Sequence, residues 1–196
     1  MKRFILITVL ACLTGTAAAA TETAIFAGGC FWCMEPPYDK LAGVISTTSG
    51  YTGGRVVDPS YKQVTTGRTG HYEAIRVEYD PDLVSYPQLL EVFWRNIDPL
   101  DDIGQFCDKG PQYLAAIFYR DAEEQELARQ SKSTLQNSLP KGMTIVTDIL
   151  PAAEFYPAEE YHQDYYKKNP IRYKYYRYGC GRDKRLEALG QILGSE

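Results

Sequence analysis

Cys30 and Cys33 stand three positions apart in "GGCFWCMEP", residues 28–36, with Phe31 and Trp32 between them and a glycine pair ahead. Sulfur at that spacing has four uses: a structural disulfide, half of a metal site, a redox pair, or one nucleophile beside an apolar wall. A zinc ribbon needs two close pairs, and Cys30 with Cys33 is the single close pair in the chain. The apolar run Thr23–Ala27 reads as a strand ending at Gly28-Gly29, and the first helical turns are predicted over residues 30–41. Cys30 then falls at a helix start, where unpaired N–H groups and the helix dipole favour a thiolate. Pro36-Pro37 sits in the second turn and marks a restart of that helix. Phe31 and Trp32 read as core residues or as a wall able to hold a methyl group.

The elements that must carry such a sulfur alternate without strict order. Val44–Tyr51 reads as a strand followed by the turn "TGG", and "HYEAIRVEYDP" alternates apolar and charged residues up to Asp80-Pro81, as a strand does. Helical spacing of Leu89, Leu90 and Phe93 predicts a helix over Tyr86–Arg95. Tyr113–Tyr119 and Met143–Leu150 read as strands. Asp121 with Glu124 three positions later caps a polar helix, and Ala158–Lys168 reads as a further helix stopped by Asn169-Pro170. The expected fold class is α+β: one domain, a mixed central β-sheet with helices packed over it, and an extended C-terminal segment.

Residues 1–20, "MKRFILITVLACLTGTAAAA", have the basic start, apolar centre and small-residue end of a signal peptide, with cleavage expected after Ala20 and the domain running over 21–196. Cys12 after "VLA" offers a lipoprotein site as the alternative. Cleavage removes Lys2, Arg3 and Cys12, making a chain of net charge −4 more acidic and leaving Cys30, Cys33, Cys107 and Cys180. The acidic balance argues against nucleic acid as a partner, and no later stretch is long and apolar enough for stable membrane insertion. The expected location is periplasmic or secreted, an oxidising setting in which four cysteines most often pair.

The motifs go further than their composition. "GGCFWCMEPPYDKLAGVISTTSGYTGG", "DPSYKQVTTGRTGHYEAIRVEYDP", "LLEVFWRNIDP", "FCDKGPQYLAAIFY" and "FYPAEEYHQDYYKKNP" together span most of the chain after residue 20. They resemble the peptide methionine sulfoxide reductases of the A class, which act on the S epimer. That resemblance implies a ferredoxin-like core and a thiol-dependent oxidoreductase that repairs oxidised proteins. It implies Cys30 as the nucleophile, attacking the sulfoxide sulfur, and Glu73 as the acid that protonates the oxygen, with its pKa raised by burial. Tyr61 and Tyr113 match the hydroxyls that hold the substrate oxygen, Asp108 an aspartate that helps hold the site, and Phe31 and Trp32 the pocket for the S-methyl group.

Attack leaves Cys30 as a sulfenic acid, which condenses with a second thiol. The resemblance favours Cys180 as that thiol, in a C-terminal segment made mobile by Gly179 and Gly181. Cys33, where the family commonly has glycine, and Cys107 stay open as resolvers or as a second-stage relay. It implies no bound metal or organic cofactor; the reductant is thioredoxin or another dithiol, the substrate methionine sulfoxide in peptides or proteins or free, and the enzyme a monomer. His162 reads as a structural hydrogen-bonding residue, His71 as a loop residue, and Lys167–Tyr178 as a docked strap. Two other readings remain at this level: a thiol–disulfide oxidoreductase working through Cys30 and Cys33, and a binding module with two inert disulfides.

Overall fold

The computed structural model describes residues 20–193; the segment read as a signal peptide lies outside these, apart from Ala20. Eight strands and seven helices follow one another as β1 (Glu22–Gly28), α1 (Phe31–Asp39), β2 (Val44–Thr52), α2 (Tyr61–Val64), β3 (Tyr72–Tyr79), α3 (Tyr86–Arg95), β4 (Gly104–Gln105), β5 (Asp108–Lys109), β6 (Ala115–Tyr119), α4 (Ala122–Ser138), β7 (Asp148–Pro151), β8 (Phe155–Pro157), α5 (Tyr165–Lys168), α6 (Pro170–Gly179) and α7 (Arg182–Leu193). Six strands form one sheet in the order β7-β6-β1-β3-β2-β8. Within it β6-β1-β3-β2 is antiparallel throughout, and β7 adds parallel to β6, so the sheet is mixed. With α1 between β1 and β2, and α3 between β3 and β6, the centre is the βαββαβ arrangement of a ferredoxin-like core.

Helices α1 and α3 pack on the sheet through the larger of its apolar clusters. Phe26 of β1 stacks on Tyr38 of α1 and Phe93 of α3, with ring centroids 5.4 Å apart in each pair. Ile75, Val77, Leu89 and Leu90 are fully buried beside them. Helix α3 forms where its apolar spacing requires, and Ser85 begins it by donating its backbone N–H to Gln88 Oε1 at 2.8 Å. Helix α4 starts as its capping residues require: the Asp121 carboxylate accepts the Glu124 N–H at 2.9 Å.

Two local expectations change. Helix α1 does not restart at Pro36-Pro37 but runs through them as one helix; burial of Met34, Pro36 and Tyr38 against the sheet outweighs the lost backbone bonds. Residues 158–168 do not form one helix. Asp164 takes a left-handed φ of +52°, which separates a 3-10 turn at Glu160–His162 from α5. The segment 167–178 is docked, as expected, with Tyr173 and Tyr176 packed beside Trp32 and Cys33. Pro170 supplies the fixed φ of a first helical position and opens α6.

Candidate active site

The site is assembled where β1 hands over to α1. Gly29 has φ +77°, and a Cβ there would come within 2.5 Å of Gln105 Cβ, so the turn needs glycine on two counts. Gln105 is itself locked: its side chain accepts the Asp98 N–H at 2.7 Å and donates to the Asp98 carbonyl at 2.8 Å. Cys30 follows as the residue capping α1, with φ −53° and ψ 117°, and is 6% exposed. Its sulfur sits at the positive end of the helix with little water around it.

Glu73 reaches the same point from β3. Its carboxylate accepts the Phe31 backbone N–H at 3.3 Å, and it is 1% exposed. Burial pushes its pKa up to about 8; Asp108 and Cys33 nearby push the same way, and the Phe31 N–H opposes them. At neutral pH this carboxyl therefore holds a proton, which an acid catalyst requires.

Two tyrosines complete the polar side. Burial, then the nearness of Glu73 and Cys30, pushes the Tyr61 hydroxyl up to about 12, and the Tyr113 side chain is its polar neighbour. The same groups keep Tyr113 well above the usual range, again with burial as the largest cause. Both hydroxyls thus stay protonated in the neighbourhood of the acid and the sulfur. Glu159 fixes this corner: one carboxylate oxygen accepts the Tyr61 N–H and the other the Tyr51 hydroxyl, both at 2.8 Å. Despite burial, these hydrogen bonds hold its own pKa below the ordinary value.

The apolar side is a set of stacked rings. The Trp32 indole lies flat on Tyr165 with centroids 3.7 Å apart and meets the edge of Tyr176 at 5.8 Å. Its Nε1–H donates to His162 Nδ1 at 3.0 Å. Burial drops the His162 pKa to about 4, so the ring is neutral and its other nitrogen carries the proton. Phe31 and Tyr61 flank that ring at 4.9 and 4.3 Å. His162 is thus the structural residue expected of it, and it orients three side chains of the site. His71 lies in the loop before β3 as expected, yet is buried, with Gly54 N–H donating to Nδ1 at 3.1 Å and Nε2 2.7 Å from the Val56 carbonyl.

The cysteines divide into two pairs. Cys107 and Cys180 form a disulfide, tying the β4–β5 turn to the end of α6. Cys30 and Cys33 are free and buried. Asp108 lies between the pairs: its Oδ2 accepts the Tyr176 hydroxyl at 2.5 Å and is 4.0 Å from Cys180 Sγ. Burial raises the Asp108 pKa, while Tyr176 and Arg182 draw it back. Among the described residues, Cys107, Asp108 and Cys180 are the one cluster with metal-ligand spacing, and its two sulfurs are bonded to each other.

The structure therefore gathers Cys30, Glu73, Tyr61, Tyr113, Asp108, Phe31 and Trp32 around one point, with Cys180 engaged by Cys107 beside it. Glu159, Tyr51, Tyr176 and Arg182 were not singled out from the sequence. Their roles depend on contacts that no local spacing displays, and Tyr51 and Tyr176 are two of sixteen tyrosines.

The family model "Peptide methionine sulfoxide reductase" matches residues 22–191. A relative from Halalkalibacterium halodurans, peptide methionine sulfoxide reductase MsrA, is 53% identical over 83% of this chain and 93% of its own. The crystal structure of Mxr1 from Saccharomyces cerevisiae in reduced form is 31% identical over 84% of this chain and 94% of its own, with a TM-score of 0.73. Methionine sulfoxide reductase A of Corynebacterium diphtheriae is 33% identical over 82% of this chain and 81% of its own, with a TM-score of 0.74. Mxr1 has also been solved in complex with Trx2; that chain, 22% identical at a TM-score of 0.53, shares the fold. With a family model matched over residues 22–191, half of the aligned positions shared with such a relative and a buried acid beside a thiol at a helix start, the chain belongs to the A class of the peptide methionine sulfoxide reductase family and is a peptide-methionine (S)-S-oxide reductase.

Proposed function

We propose that the enzyme reduces methionine-S-sulfoxide, protein-bound and free, by attack of the Cys30 sulfur on the sulfoxide sulfur while Glu73 passes its proton to the departing oxygen. The Tyr61 and Tyr113 hydroxyls hold that oxygen as charge develops on it, and Phe31 and Trp32 receive the S-methyl group. Asp108 keeps Tyr176 in place over the sulfur. The sulfoxide oxygen moves to Cys30, methionine leaves, and Cys30 becomes a sulfenic acid. A second thiol of the chain converts it to a disulfide, and a thioredoxin-like dithiol returns the enzyme to its thiol state. The Mxr1–Trx2 complex supports a donor of that kind by family likeness. The signal-peptide reading of residues 1–20 places this chemistry in the periplasm or outside the cell, in a monomer that repairs oxidised proteins and holds no metal or organic cofactor.

The observation that carries the reading is the buried Glu73 carboxyl bonded to the backbone N–H of the residue after Cys30. The test is a reaction with an S-sulfoxide peptide in the absence of any dithiol. The wild type should release about one equivalent of methionine and turn over only when thioredoxin is added. Cys30→Ser should release none. Methionine release by Cys30→Ser at the wild-type rate would overturn the assignment. Fractionation of expressing cells, with the processed N-terminus sequenced, tests the location.

A further inference from the structure

Glu73 has a neighbour that the reaction does not consume. In the ladder between β2 and β3, Tyr51 stands directly opposite Glu73, so both side chains leave the same face of the sheet. Tyr51 is fully buried. Its ring packs against Phe31, the residue whose N–H bonds Glu73, with centroids 6.1 Å apart. A phenol in that place has two opposed effects to offer. Its ring keeps water from the acid and favours the proton; its hydroxyl, if it donated to the carboxyl, would favour the charge.

The hydroxyl is engaged elsewhere. Strand β8 pairs antiparallel with β2, with Tyr156 opposite Tyr51, and brings the chain from Ala158 onward alongside the site. Glu159 Oε2 accepts the Tyr51 hydroxyl and Oε1 the Tyr61 N–H, both at 2.8 Å. Its backbone carbonyl accepts the His162 N–H, also at 2.8 Å. One half-buried residue thus ties together β2, the start of α2 and the turn that carries His162. Against burial, its hydrogen bonds hold the Glu159 carboxyl below the ordinary value, so it stays an acceptor for both donors. The titratable groups around Glu73 are Cys30 and Cys33 on α1, Tyr51 on β2, Tyr61 on α2, Asp108 on β5 and Tyr113 before β6. Of these, Asp108 and Cys33 act on its proton as charges, after burial.

We propose that Glu159 is a positioning residue for the acid: by engaging the Tyr51 hydroxyl it leaves Tyr51 to face Glu73 with its ring alone, which keeps the carboxyl neutral, while its other oxygen fixes the helix that carries Tyr61. This rests on the reading of Glu73 as the acid. A glutamine at 159 has one acceptor oxygen for two donors. The Tyr61 N–H is fixed at the start of α2, so the rotatable Tyr51 hydroxyl is the donor left over. A freed hydroxyl turned toward Glu73, or the water that satisfies it, stabilises the carboxylate. Phenylalanine at 51 removes that donor and keeps the ring, so a single oxygen at 159 then suffices.

The test follows the first turnover of an S-sulfoxide peptide across pH, without reductant. Wild type is compared with Glu159→Gln, with Glu159→Ala as a second way to remove the acceptor, and with the double variant Tyr51→Phe/Glu159→Gln. The alkaline limb, set by Glu73, should move to lower pH by about one unit in both single variants. Well above that limb their first-turnover rate should fall about tenfold. In the double variant the limb should return to its wild-type position, although the charge of Glu159 is still missing. An alkaline limb unmoved in both Glu159 variants overturns the proposal. So does a limb displaced as far in the double variant as in Glu159→Gln, because a lost charge alone would do that. A wild-type profile with no alkaline limb overturns the reading of Glu73 itself, and this inference with it.

Discussion

Glu73 on β3 holds the backbone N–H of Phe31 on α1 at 3.3 Å, so the acid and the start of the nucleophile's helix are joined by one hydrogen bond. Glu73→Gln keeps the shape and an acceptor for that bond but has no carboxyl proton to give. Its turnover on an S-sulfoxide peptide should fall by about 10²–10⁴-fold, the usual worth of a positioned acid. Circular dichroism and a thermal melt should show the fold retained. A loss of less than about fivefold in kcat would remove the carboxyl from the chemistry.

The pH dependence of the first turnover follows from two opposed needs. Glu73 must be protonated, and its pKa is about 8, so the rate should decline as pH rises through that value. The sulfur pair must carry one negative charge; with Cys33 drawn to about 6, the rate should rise through that value from the acid side. Stopped-flow fluorescence from pH 5 to 10, without reductant, should trace a bell with its top between the two limbs. In Cys33→Ser the acid limb should move up toward an ordinary thiol, the alkaline limb staying in place. A profile still rising beyond pH 9 would contradict the acid role.

The same buried carboxyl makes stability depend on pH. Glu73 has a folded pKa of about 8 against an ordinary value of 4.5, so the unfolded chain gives up this proton first. Its contribution to folding is fully present below about pH 4.5 and is lost as pH rises toward 8, where the folded group ionises too. Glu73→Gln has no such loss. The difference in unfolding free energy between variant and wild type should therefore grow in the variant's favour from pH 4.5 to 8 and then level off. Urea titrations at closely spaced pH values measure it; a flat difference would mean the carboxyl is ionised in the native state.

Sequence pattern carried the parts of this molecule that local physics decides. Helix α3 was legible because Leu89, Leu90 and Phe93 repeat at helical spacing after Ser85, and strand β3 because apolar and charged residue types alternate along its sequence. The break at Asp164 was not legible. It follows from long-range anchors: the Asp164 N–H reaches Glu35 Oε1 at 3.4 Å, and His162 is held by Trp32. The motif resemblance named Cys30, Glu73, Tyr61, Tyr113 and Asp108, whose meeting the fold displays. Glu159 escaped notice because an acidic residue in a polar run looks solvated until Tyr51 and Tyr61 are seen to close on it. The Cys107–Cys180 bond was one of several pairings that four cysteines allow, and spacing cannot choose among them.

Arg182 gives a prediction that separates packing from electrostatics. Its guanidinium is buried far from its own chain segment. Nη2 faces the carbonyls of Gly28 and Asn96 and the Met34 sulfur, which pins the start of α7 to the turn before Cys30. Arg182→Met fills similar volume without charge or donors and leaves two buried carbonyls without this donor. A loss of about 1–3 kcal/mol in unfolding free energy is expected from such a lost donor. Packing alone would stop there, but the charge also favours the anion on the sulfur pair. Arg182→Met should therefore shift the acid limb of the first-turnover profile to higher pH, while the Glu73 limb keeps its position. Arg182→Lys should restore the position of that limb better than it restores stability, because lysine keeps the charge but cannot reproduce the guanidinium's geometry. An acid limb unmoved in Arg182→Met would confine this residue to holding the C-terminal segment in place.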